Sequence, residues 1–84
     1  MVHIKIYTKA TCPYCRSAKE LLTYKGVEFE EVSVDNDTVL RAEMERLSGR
    51  KTVPQIFING QSVGGCDDLY ALDAAGKLDK MLEL

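Results

Sequence analysis

Val2, Ile4 and Ile6 alternate with His3, Lys5 and Tyr7, and strict alternation of this kind predicts a strand with one apolar face. After Thr8–Thr11 the period changes. Pro13 suits the first position of a helix, Ala18, Leu21 and Leu22 recur at helical spacing, and Gly26 stands where a helix stops. Val27–Val34 is rich in β-branched residues and predicts a second strand. Its phase breaks, because Val27 and Phe29 fall on odd positions and Val32 and Val34 on even ones, which leaves a bulge or a loop containing Val27 open. Asp37 is a fitting N-cap for a second helix, with Leu40, Met44 and Leu47 on one face and Gly49 as its stop. Ile56-Phe57-Ile58, Asn59-Gly60 and Gln61-Ser62-Val63 predict a hairpin with a type I′ turn, since both central residues tolerate positive φ. Gly64-Gly65 precedes a third helix on Leu69, Leu72 and Ala75, stopped by Gly76, and a short amphipathic tail with Leu78, Met81 and Leu82 follows.

The element order is therefore βαβαββα. A helical crossover makes the first two strands parallel, while the hairpin adds antiparallel ones, giving a four-stranded mixed sheet with helices on both faces. No repeat, low-complexity tract or linker divides the chain, so a single three-layer α/β domain over residues 1–84 is expected. A chain of 84 residues buries about 63% of its unfolded surface, enough for one modest core. With 45% hydrophobic and 29% charged residues, the composition is that of a globule rather than a disordered chain. Eleven Lys and Arg against 13 Asp and Glu leave a net charge of −2, without the clustered basic excess of a nucleic-acid binder. No apolar run approaches the roughly 18–20 residues of a membrane span. Lys5 interrupts the N-terminal apolar residues before a signal-peptide core develops, and a cytoplasmic location is expected.

Three cysteines change the picture, because an odd number cannot all pair within one chain. Cys12 and Cys15 are separated only by Pro13 and Tyr14. Closing so small a loop adds only about 2 kcal/mol, a weak return for a structural staple, so the pair reads as chemistry. Zinc needs four ligands, and the chain offers three cysteines and His3 without a second close pair. Burial of both thiols as small hydrophobes is the other alternative. A C-x-x-C beside a βαβ pattern is a signature of thioredoxin-like redox motifs. Cys12 falls where a strand gives way to a helix, and free backbone N–H groups and the positive end of the helix dipole favour a thiolate there. Lys9 adds positive charge nearby. Cys15, one turn further in and less accessible, is suited to resolve what Cys12 attacks.

Cys12-Pro13-Tyr14-Cys15, Thr52-Val53-Pro54 and Gly64-Gly65-Cys66-Asp67-Asp68, in that order and spacing, resemble the glutaredoxins, and the resemblance runs over nearly the whole chain. It implies a thioredoxin-like fold and a glutathione-dependent thiol–disulfide oxidoreductase that reduces protein disulfides and glutathione mixed disulfides. The implied partners are glutathione and disulfide-containing or glutathionylated proteins, with no metal, no nucleic acid and no membrane, and the implied state is a monomer. The resemblance also implies a glutathione site. Thr52-Val53-Pro54 matches a loop with a cis-proline, in which Val53 offers its backbone N–H and C=O to the cysteine part of glutathione. Gly65-Cys66-Asp67 matches the segment holding the γ-glutamyl end, with helix N–H groups on its carboxylate and Asp67 on its ammonium. Lys9 and Tyr14 match positions flanking the glycyl end and the sulfur. Simpler roles compete: Asp67 as a helix N-cap, Tyr14 as a packed ring, Thr52 as a local backbone partner, and Lys9, Arg50 and Lys51 as solvated charges. Cys66 matches a position that contributes backbone N–H, which leaves its thiol incidental.

Overall fold

The computed structural model describes residues 2–84. Its elements are β1 (Ile4–Thr8), α1 (Pro13–Tyr24), β2 (Glu30–Ser33), α2 (Thr38–Ser48), β3 (Gln55–Ile58), β4 (Gln61–Gly64), α3 (Cys66–Ala74) and α4 (Leu78–Met81). The strands form one mixed sheet in the order β2-β1-β3-β4. β1 runs parallel to β2 and antiparallel to β3, and β3 pairs antiparallel with β4 across a register shift at Ile56/Phe57.

Alternation in β1 sorts side chains to two cores. Ile4 and Ile6 join Ile56 and Ile58 beneath Ala18, Leu21 and Leu22 of α1, Leu69 of α3, and Leu78 and Leu82 at the C-terminal end. Tyr7 faces the other way and packs with Val34, Met44 and Phe57 under α2. Its ring meets Phe57 edge-on at 5.6 Å, and its hydroxyl donates to Glu43 Oε1 at 2.8 Å. Three layers result, with α1, α3 and α4 on one side of the sheet and α2 on the other.

The broken phase of Val27–Val34 resolves as a loop followed by a short strand. Val27 and Phe29 precede β2 and pack on the α1/α3 core, whereas Val32 and Val34 point to the α2 core. Helix α2 begins as expected, Asp37 Oδ1 accepting the Leu40 N–H at 2.9 Å, and ends at Gly49 with φ 73°. Leu47 departs from its expected buried stripe: it is half exposed and lies at the rim of a depression with Phe57. The hairpin turn places both Asn59 (φ 51°) and Gly60 (φ 80°) at positive φ. The tail adds one element beyond βαβαββα, the single-turn helix α4, which buries Leu78 and is followed by buried Leu82. Lys25, just after α1, ties this end down with Nζ 2.7 Å from Asp73 Oδ1 and 2.8 Å from Asp79 Oδ1.

Candidate active site

Cys12 is the N-cap of α1, with extended backbone (φ −113°, ψ 108°) and Pro13 following it into the first turn. A cap side chain turns back over the unpaired N–H groups of the first turn. Here the sulfur does so, Cys12 Sγ accepting the Cys15 N–H at 3.2 Å. Such a donor, at the positive end of a helix, stabilises negative charge on the sulfur. The same sulfur lies 3.7 Å from the Val53 carbonyl oxygen, to which the thiol donates.

Cys12 is half-buried, whereas Cys15 is 1% exposed. Burial first, and then the hydrogen bond and charge of Cys12, together push the Cys15 thiol up to about 12, against the Lys9 backbone N–H and the Lys19 charge. Cys15 therefore rests as a thiol while Cys12 is the accessible sulfur. Cys66, the first residue of α3, is also buried, and desolvation and then Asp67 push its thiol up.

The Val53 carbonyl opens onto a cleft of about 180 Å³. The Val53–Pro54 bond is cis, as the resemblance implies for this loop. Thr52, Val53 and Pro54 form one wall, Gly65, Cys66 and Asp67 the other, and Tyr14, Arg50 and Asp68 complete it. The walls approach so closely that a Cβ on Gly65 would stand 3.3 Å from the Pro54 carbonyl oxygen. Along the α3 wall, helix geometry leaves first-turn N–H groups without intrahelical partners, ready for an anion.

Asp67 is exposed in this first turn and is not the cap. Gly65 is the N-cap, and it is Asp68 whose carboxylate reaches back to accept the Gly65 N–H at 2.9 Å. The same Asp68 oxygen takes Arg50 Nη1 at 2.8 Å, joining the end of the proline loop's approach to α3. These two contacts hold the Asp68 carboxyl below its ordinary value, the Gly65 N–H more than Arg50. Asp68 was legible only as part of the Gly-Gly-Cys-Asp-Asp string, and its partner Arg50 only as a charge.

Tyr14 is 64% exposed and lines the cleft, so it is not a packed core ring. Lys9 does not line it. Its side chain borders a neighbouring depression shared with Asp35, Asp37 and Arg41. Arg41 escaped the sequence reading, although it reaches the proline loop, Nη2 donating to the Lys51 carbonyl at 3.1 Å. A lone basic residue on a solvated helix gives no sequence signal for that. Among the described residues, no group of three or more His, Cys, Asp or Glu side chains is placed to hold a metal ion.

Known proteins resemble this chain in sequence and in fold. A family model described as glutaredoxin matches residues 4–63. Glutaredoxin 3 of Escherichia coli K12 is 59% identical over 83 residues, spanning 99% of this chain and 100% of that protein. A glutaredoxin of Pseudomonas aeruginosa is 56% identical over 82 residues, spanning 98% of each. The solution structure of a Brucella melitensis glutaredoxin superposes with a TM-score of 0.86 at 57% identity, over 98% of this chain and 89% of that one. A crystal structure of a buckwheat glutaredoxin–glutathione complex reaches a TM-score of 0.90 at 29% identity, over 98% of this chain and 77% of that one. The three-layer arrangement is thus a thioredoxin-like fold, and the cysteine pair at the first turn of its first helix suits thiol–disulfide exchange. The chain belongs to the glutaredoxin family of thiol–disulfide oxidoreductases.

Proposed function

We propose that this chain reduces glutathione mixed disulfides and protein disulfides with glutathione as its electron source, acting as a monomer and a single domain in the cytoplasm. The observation that carries the reading is the 3.7 Å approach of Cys12 Sγ to the Val53 carbonyl, which seats the accessible sulfur at the edge of the cleft. The wall formed by Thr52, Val53 and Pro54 offers backbone to a peptide, in the manner of an added strand. The first turn of α3 offers N–H groups to a carboxylate, with exposed Asp67 beside them for an ammonium. γ-Glutamyl peptides carry both groups on one carbon. Lys9 and Arg41, on the adjoining depression, suit the carboxylate at the glycyl end. The glutathione complex of the similar buckwheat glutaredoxin supports the same ligand.

On a glutathionylated protein, the Cys12 thiolate attacks the glutathione sulfur. A Cys12–glutathione disulfide forms, and the protein leaves as a thiolate that takes up a proton. A second glutathione, as thiolate, attacks the sulfur of the bound glutathione, so glutathione disulfide departs and Cys12 returns. On a protein disulfide, Cys12 instead forms a mixed disulfide with one protein sulfur and frees the other. Cys15 then loses its proton, attacks Cys12 and releases the substrate thiol, leaving a Cys12–Cys15 bond that two glutathiones reduce. The raised Cys15 thiol fits this order of events: part of what raises it is the charge and hydrogen bond of Cys12, which vanish once that sulfur is in a disulfide.

The test is turnover of a glutathionylated peptide and of a disulfide-bonded protein, with glutathione as sole reductant. Cys12→Ser abolishes both reactions; Cys15→Ser keeps the first and loses the second. Wild-type protein inert with glutathione, or a Cys15→Ser variant that loses both reactions equally, would overturn the reading.

A further inference from the structure

Gln55 opens β3 directly after Pro54 and is 0% exposed, in a strand whose remaining residues Ile56, Phe57 and Ile58 are all buried and apolar. A buried amide at such a place is retained at a cost unless its hydrogen bonds are used. Among the described residues, the amide nitrogen is the half that finds partners. Nε2 donates to the Thr52 carbonyl at 3.0 Å and reaches Thr52 Oγ1 at 3.2 Å, while Oε1 meets no donor among the described residues. The side chain thus folds back over Val53 and Pro54 and grips the residue before them.

That grip fixes more than Thr52. The Thr52 carbonyl and the Val53 N–H belong to one peptide unit, and in a planar trans unit they point in opposite directions. The cis bond is the following one, Val53–Pro54, so the Thr52–Val53 unit has this antiparallel arrangement. Pinning the carbonyl on the amide of Gln55 turns the Val53 N–H to the opposite side of the loop. The next carbonyl along, that of Val53, accepts the Cys12 thiol. We infer that Gln55 is a positioning residue, holding the Thr52–Val53 peptide plane so that the Val53 N–H faces a glutathione peptide in the cleft. The inference rests on the glutathione reading above, and it explains why a buried, otherwise apolar strand begins with an amide.

Gln55→Met keeps the length and apolar stem of the side chain and removes the donor; Gln55→Leu removes it with a shorter, branched side chain. Losing one oriented backbone contact raises the KM for a glutathionylated peptide about fivefold to tenfold, with kcat within about twofold of the wild type. In the ligand-free variants the amide resonances of Thr52 and Val53 shift while those of α2 stay in place. Unchanged KM together with unmoved Thr52 and Val53 resonances would sink the assignment. Failure of the glutathione reading looks different: the wild type itself does not turn over, while the ligand-free resonances still report on Gln55.

Discussion

At the scale of single residues, the two motif cysteines differ through what surrounds them. Cys12 is a cap residue with its sulfur against a backbone N–H, and Cys15 is sealed one turn in. Because burial and Cys12 together hold the Cys15 thiol at about 12, well above its ordinary 9.0, its neutral form stabilises the fold at every pH below 9. That contribution is lost as pH climbs from 9 towards 12. Removing the neighbouring sulfur removes two of the causes. In a Cys66→Ser background, Cys12→Ala therefore lowers the midpoint at which Cys15 ionises, read from thiolate ultraviolet absorbance against pH. A midpoint that stays at its original value would mean that burial alone sets it, and that Cys12 has no electrostatic hold on its partner.

At the scale of elements, the cleft depends on how α3 begins. Asp68 satisfies the Gly65 N–H and also grips Arg50, so one carboxylate joins the first turn of α3 to the approach of the proline loop. Its ionisation is favoured in the folded state, so the stabilisation it brings is complete above the ordinary Asp range and disappears as pH falls through its lowered value. The Gly65 amide resonance is expected to titrate with a midpoint below the ordinary 3.8, and Asp68→Asn, which keeps an acceptor but no charge, abolishes that titration and loosens Arg50. A titration at or above the ordinary value would mean that the carboxylate is not held by these contacts. This latch also marks where the sequence stops being legible. A cap at Asp67 stood as an alternative to its role toward the γ-glutamyl ammonium, but adjacent Asp67 and Asp68 look alike in a string, and only the turn of the helix decides which one reaches back. The strands, α1, α2 and the hairpin were legible because their periods and stops are local. The phase break before β2 was visible but not interpretable, since Val27 and Phe29 serve one core and Val32 and Val34 the other. Leu47 shows the opposite failure: its helical spacing is right, but the face it follows runs out at the rim of the α2 core. Lys9 stands near Cys12 in sequence yet borders a different depression, because the loop between β1 and α1 turns its side chain towards the start of α2.

At the scale of the whole molecule, the site belongs to both cores at once. Cys66 and Leu69 bind the α3 wall into the core under α1, whereas Val53 rests on the core under α2 with Tyr7, Val34, Met44 and Phe57. The sheet separates these clusters, so the two walls are supported by different sets of side chains and meet only at the cleft. Each support is large against the total: a chain of this length has about 4–13 kcal/mol of stability, while truncating a fully buried Leu or Met to Ala costs about 2–5 kcal/mol. Leu69 and Met44 are both 0% exposed, and they offer a matched pair for separating the walls. Urea denaturation should show losses of that order for Leu69→Ala and Met44→Ala alike. Their local consequences should differ. Amide hydrogen exchange in native conditions speeds up at Cys66 and Asp67 in Leu69→Ala and at Thr52 and Val53 in Met44→Ala, each variant leaving the other wall protected. If both variants loosened the same wall, the two cores would be one cooperative unit. If each loosens its own, binding in the cleft adds to the Asp68–Arg50 link between α3 and the proline loop, and the proposed ligand glutathione is expected to raise the protection of both walls together.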